Sequence, residues 1–136
     1  MLGGGDDRDY DYEIFSPAYL ENPRPQGLVW GSEPPLDPVY DAYALDYDVE
    51  HLISCNPLPL GQEITKVVLM AACSVTHHSD MHQRYVELST VVEGGVRAYF
   101  RTPTSDKQAP RGLYMLFVVT NAPSVSEAIW VRLWQQ

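Results

Sequence analysis

From residue 50 onward the chain is written in short runs of β-branched, aromatic and aliphatic residues separated by turn residues, and no 3.6-residue apolar stripe sustains a helix. The runs are residues 51–55, 64–72, 85–92, 96–101, 113–119 and 128–134. Tyr85-Val86-Glu87-Leu88-Ser89 alternates, as does Ile129-Trp130-Val131-Arg132-Leu133, which is the pattern of strands with one face in a core and one outside. Leu113 to Val119 is apolar almost throughout and reads as a central strand. Gly94-Gly95 marks a hairpin, because glycine accepts the positive φ of tight turns. Strands at this spacing predict an all-β fold, an immunoglobulin-like β-sandwich over residues 51–136.

The front of the chain obeys different rules. Residues 1–51 carry twelve acids and two bases, a net of −10, whereas the remainder has six acids and seven bases. Eight of the eleven prolines fall before residue 60. An irregular, acidic, proline-rich N-terminal segment is therefore expected ahead of the sandwich. Leu28-Val29-Trp30 reads as an edge strand, and the spacing of Tyr40, Tyr43 and Tyr47 fits either a helix face or a packed loop. The overall net charge of −9 and pI of about 4.6 oppose nucleic acid and anionic membranes as partners. No run of apolar residues is long enough to span a bilayer, and MLGGGDDRD lacks the basic and apolar regions of a signal peptide. Cys55 and Cys73 allow one bridge or two buried thiols.

Several chemical motifs fail on inspection. Asp7-x-Asp9-x-Asp11 and Asp46-x-Asp48-x-Glu50 open like calcium loops, but the glycine is replaced by Tyr12 or His51 and the closing glutamate by Ala18 or Pro57. Gly3-Gly4-Gly5 completes no phosphate-binding pattern. No serine or cysteine is visibly paired with a base for nucleophilic catalysis. The informative segment is residues 73–85, where His77, His78 and His82 crowd between two strands, since imidazole is a ready neutral ligand for copper or zinc. Adjacent His77 and His78 on an extended loop point apart, so all three do not converge on one ion. Arg84, just past them, offers a planar fork of donors to carbonyls or to a carboxylate such as Asp80. Tyr114, Phe117 and Trp130 read as core or interface aromatics.

At this loop the chain resembles a known family. Thr76-His77, then Met81-x-Gln83-Arg84-Tyr85-Val86-x-Leu88, then Ala109-Pro110-x-Gly112-x-Tyr114-Met115-Leu116-Phe117-Val118-Val119, then Pro123-Ser124-Val125 and Trp130-Val131-Arg132, look like the C-terminal early-set domain of galactose oxidase and glyoxal oxidase type copper radical oxidases. Residues 1–20 resemble the last propeller strand and connector of such enzymes, with 21–50 an acidic Pro/Tyr-rich loop segment and 51–136 the early-set sandwich. The chain departs from the family at His82, where an aspartate is usual, and in a shorter Thr120-Asn121-Ala122-Pro123 turn.

The resemblance implies that His77 is a metal ligand, one of the groups that hold copper at the centre of a kelch propeller. It also implies that the remaining ligands and the cross-linked tyrosyl–cysteine radical pair come from that propeller, in cis or in trans. On that reading this chain is a sandwich module with no catalytic residue of its own. The whole enzyme would oxidise primary alcohols or aldehydes with O2 to give H2O2 in a secreted setting. An apolar patch is then expected wherever the propeller is missing, with self-association as its consequence. A second reading, from another class, is a free-standing carbohydrate-binding or protein-interaction sandwich, in which Tyr40, Tyr43 and Tyr47 build a concave aromatic surface.

Overall fold

A computed structural model describes residues 23–71 and 84–134, together with the backbone of residues 75–76 and 79–80. The described residues form twelve strands: β1 (Val29–Trp30), β2 (Leu36–Asp37), β3 (Ala42–Leu45), β4 (Glu50–Ser54), β5 (Ile64–Ala71), β6 (Val75–Thr76), β7 (Ser79–Asp80), β8 (Tyr85–Glu93), β9 (Arg97–Arg101), β10 (Gly112–Thr120), β11 (Ser124–Val125) and β12 (Ile129–Leu133). Each of the six strands expected after residue 50 is present within two residues of its expected ends.

Ten strands pair in the order β1-β4-β9-β8-β5-β10-β12-β3-β2, with β11 on the end of β10. β8 belongs to both layers of the sandwich. Its first part pairs with β5, from Met70↔Tyr85 to Val67↔Leu88, and its second part with β9, from Ser89↔Arg101 to Glu93↔Arg97. The turn that follows β8 has positive φ at both Gly94 (62°) and Gly95 (79°), which accounts for the glycine pair.

β10 is central, as its composition predicts: it pairs with β5 on one side and with β12 and β11 on the other. Its burial alternates, with Tyr114, Leu116, Val118 and Thr120 buried and the residues between them partly exposed. The inward residues meet Leu45, Ile53, Val67, Leu69, Phe100, Val131 and Leu133 in one core. Each fully buried aliphatic side chain there stabilises the fold by roughly 1.5–3 kcal/mol relative to exposure.

The acidic front third is more regular than composition suggests. Val29–Trp30 is an edge strand, antiparallel to β4. The Tyr40–Tyr47 stretch is neither helix nor loop throughout, because Ala42–Leu45 is a strand running parallel to β12 with Val131↔Tyr43 and Leu133↔Leu45 in register. The short β2 closes that edge by pairing with β3. Asp41 and Asp48 adopt positive φ, which aspartate tolerates better than most residues, and so turn the chain at either end of β3. Arg132 on β12 fastens the turn by an ion pair to Asp37 at 2.9 Å, with its guanidinium over the rings of Tyr40 and Trp134.

Candidate functional site

The histidine segment leaves one end of the sandwich, where β5 finishes and β8 and β10 begin. Its neck is closed by backbone pairing: Met70 lies opposite Tyr85, and Ala71 N–H donates to Arg84 O at 2.9 Å. Beyond the neck, β6 and β7 pair antiparallel with Val75↔Asp80 and Thr76↔Ser79. The two residues between them in the sequence are His77 and His78. His77, the expected copper ligand, lies outside the described residues, as do His78, His82 and Cys73. What the structure describes is the frame around them.

That frame is built largely from residues 104–111, which connect β9 to β10. Gln108 Oε1 accepts from Thr104 N–H at 3.0 Å, and Gln108 N–H donates to Ser105 O at 3.1 Å, so this connection is internally tied. Three side chains then hold it against the sandwich. Arg84 Nη1 donates to Gln108 O at 3.1 Å, Tyr47 Oη to Ala109 O at 2.6 Å, and Tyr114 Oη to Pro110 O at 2.6 Å. Arg84 thus binds a carbonyl, one of the two partners expected of it, and the carbonyl belongs to a different connection. Its backbone closes the neck while its side chain braces the neck against residues 104–111.

The same contacts fix the chemistry of the phenols. Burial is the first cause that raises both Tyr47 and Tyr114 above the ordinary phenol range. The Asp106 carboxylate adds to it for Tyr47 and Tyr47 itself for Tyr114, while Arg111 and Arg84 respectively oppose it. Each hydroxyl also spends its proton on a carbonyl. Both tyrosines are therefore neutral hydrogen-bond donors, unsuited to ligate a metal as phenolates.

The other candidate ligands lie elsewhere. His51 sits in an aromatic cluster, stacked on Phe100 at 5.6 Å and edge-on to Trp30 at 5.7 Å, and burial lowers its pKa. Cys55 is a free thiol whose pKa burial raises, so it is an inert side chain in the sandwich. Among the described residues no group of three or more His, Cys, Asp or Glu is placed to hold a metal ion. These residues do not by themselves make a copper site.

Nor do Tyr40, Tyr43 and Tyr47 share a surface. Tyr43 packs on Trp30 at 5.4 Å, Tyr47 is turned to Ala109, and only Tyr40 is exposed, beneath Arg132. The bracing of residues 104–111 was not visible in the sequence, because Tyr47 and Ala109 are 62 residues apart and Arg84 and Gln108 are 24 apart. Local pattern carries no signal at such separations.

No curated protein matches the chain. Among solved structures, its fold is similar to that of a fungal alcohol oxidase of the AA5 family in complex with copper, with a TM-score of 0.60 and 19% identity, over 82% of this chain and 20% of that one. It is also similar to a DUF4784 family protein from Bacteroides caccae, with a TM-score of 0.50 and 10% identity, over 82% of this chain and 24% of that one. The chain therefore spans a quarter or less of the length of either structure, and at these identities the likeness is one of fold. A family model described as galactose oxidase-like, early set domain, matches residues 36–133, well over half of the chain. It covers every strand from β2 to β12, and on that match the chain belongs to the galactose oxidase-like early set domain family.

Proposed function

We propose that this chain is a non-catalytic module of a copper radical oxidase, and that its task is to hold His77 where a separate kelch propeller can take it as one copper ligand. The observation that carries the reading is the pairing of Thr76 with Ser79, which brackets His77 and His78 between two short strands that stand beyond the closed neck. A single imidazole does not define a copper geometry, so the remaining ligands and the radical site belong to the propeller, supplied in cis or in trans. The copper complex of the similar AA5 oxidase supports this assignment of metal. In the whole protein the reaction would be RCH2OH + O2 → RCHO + H2O2, or the corresponding oxidation of an aldehyde, in a secreted setting. The division that accompanies this reading is residues 1–20 as propeller remnant and connector, 21–50 as an acidic segment whose strands β1 to β3 add to the edges of the sandwich, and 51–136 as the body of the sandwich.

Calorimetric titration of the chain with Cu(II), beside His77→Ala and with a peroxide assay on primary alcohols, tests it. Weak or absent binding and no peroxide are expected. Tight one-to-one binding that is lost in His77→Ala, with alcohol-dependent peroxide, would overturn the reading and show a complete site within the chain.

A further inference from the structure

A cleft of about 380 Å3 opens where the chain ahead of β1 passes the chain that leads into β12, a volume within the range of small-molecule sites. It lies toward the end of the sandwich opposite the histidine segment, because Val125 pairs with Val119 where β10 finishes and the segment leaves where β10 begins.

One wall is residues 24–28 and the other residues 127–129, and the body of the fold fixes both. Asn56 N–H donates to Gln26 O at 2.8 Å, which ties the first wall to the chain beyond β4. Ser126, fully buried, holds the second. Its N–H donates to Val118 O at 2.9 Å, and its Oγ accepts from Val118 N–H at 2.9 Å and donates to Glu127 O at 2.9 Å. Arg24 Nε donates to Val125 O at 2.8 Å and so joins the first wall to the strand ahead of the second.

Two opposite charges line this cleft without neutralising each other. Among the described residues, the Nε bond is the sole hydrogen bond of the Arg24 guanidinium, the Glu127 carboxylate has none, and neither side chain is in an ion pair. A guanidinium fork matches a carboxylate, and a carboxylate accepts from an ammonium. Pro25, Leu28 and Ile129 add apolar surface to the same lining.

We propose that the cleft binds a small zwitterion, an α-amino acid with an aliphatic side chain. Its carboxylate sits on Arg24, its ammonium on Glu127, and its side chain against Pro25, Leu28 and Ile129. Charge selects this class. A simple anion meets Glu127 and a chain of net charge −9, and a simple cation meets Arg24, whereas a zwitterion offers both complements. A neutral sugar leaves both charges unmatched and finds no aromatic ring in the lining to stack on. The proposal depends on neither copper nor a partner domain.

The test is titration of the 15N-labelled full chain with leucine, read by amide NMR. Saturable shifts are expected at residues 26–28 and 127–129, with a Kd on the order of millimolar, while residues 104–111 at the other end stay in place. Arg24→Gln and Glu127→Gln should each weaken binding about tenfold, as the loss of a hydrogen bond between charged groups does. Leucinamide, which lacks the carboxylate, should bind the parent chain as weakly and lose nothing further in Arg24→Gln. N-acetylleucine should stand in the same relation to Glu127→Gln. A wall that was merely loosened by substitution would not match each ligand group to one residue. The absence of saturable shifts at these amides with leucine at ~100 mM would overturn the proposal. So would binding indifferent to both ligand charges, or binding of glucose as tight as that of leucine.

Discussion

Replacing His51→Phe should make the protein more stable, although most substitutions at packed positions do the reverse. His51 Nε2 is buried and has no hydrogen-bond partner among the described residues, while its ring is stacked on Phe100 and meets the edge of Trp30. A buried, unmade hydrogen bond costs ~1–3 kcal/mol, and phenylalanine removes that cost while keeping a flat ring in the stack. The larger ring adds some crowding, which places the expected net gain near 1 kcal/mol, or about 4 °C in Tm.

Acid should widen the difference. Burial depresses the folded-state pKa of His51 below the ordinary 6.5, with Asp46 opposing only in part. The unfolded state therefore binds more protons, and the parent chain loses stability as pH falls below about 6.5 toward the folded value. His51→Phe cannot titrate there. Thermal melts of both proteins near pH 8 and near pH 5.5 should show the variant ahead at both and further ahead in acid. A variant less stable at both pH values would show that the imidazole is engaged through its nitrogen. A pH-independent gap would show that burial does not set its titration.

Three further outcomes follow from the same structure. Leu116→Ala, at a fully buried position of the central strand, should cost ~2–5 kcal/mol in urea denaturation. Gly27→Ala should destabilise by ~1–2 kcal/mol in the same assay, because the residue has φ +65° and an added Cβ would stand 2.6 Å from Asn56 Nδ2. Arg84→Ala should lower global stability by no more than ~1 kcal/mol, since its hydrogen bond to Gln108 O is exposed, yet amide exchange in residues 104–111 should accelerate selectively.

Sequence periodicity located the six principal strands and the centrality of β10, because burial on one or both faces leaves a local mark in composition. It did not locate β3. The alternation of tyrosine with aspartate from residue 40 to 48 reflects two turns at positive φ and a short strand whose partner, β12, lies almost ninety residues away. The same limit applies at the candidate site. Position along the chain marked the histidine segment, and strands β5 and β8 on either side of it marked its exit from one end of the sandwich. Nothing local marked Tyr47, Gln108 or Tyr114 as its support.

The arrangement at that end has a consequence for how the connection between β5 and β8 is held in place. The β6–β7 pair, with two residues in each strand, gains little order from its own pairing, since an isolated hairpin of that length is marginal in water. Its position must come from the base. Three donors converge there on the consecutive carbonyls of Gln108, Ala109 and Pro110, two of them from phenols that burial keeps protonated. Because neither phenol ionises in the neutral range, the brace holds through the pH interval in which histidine side chains ordinarily titrate. The sandwich thus supplies, at the end from which the histidine segment leaves, a support that does not titrate near neutral pH.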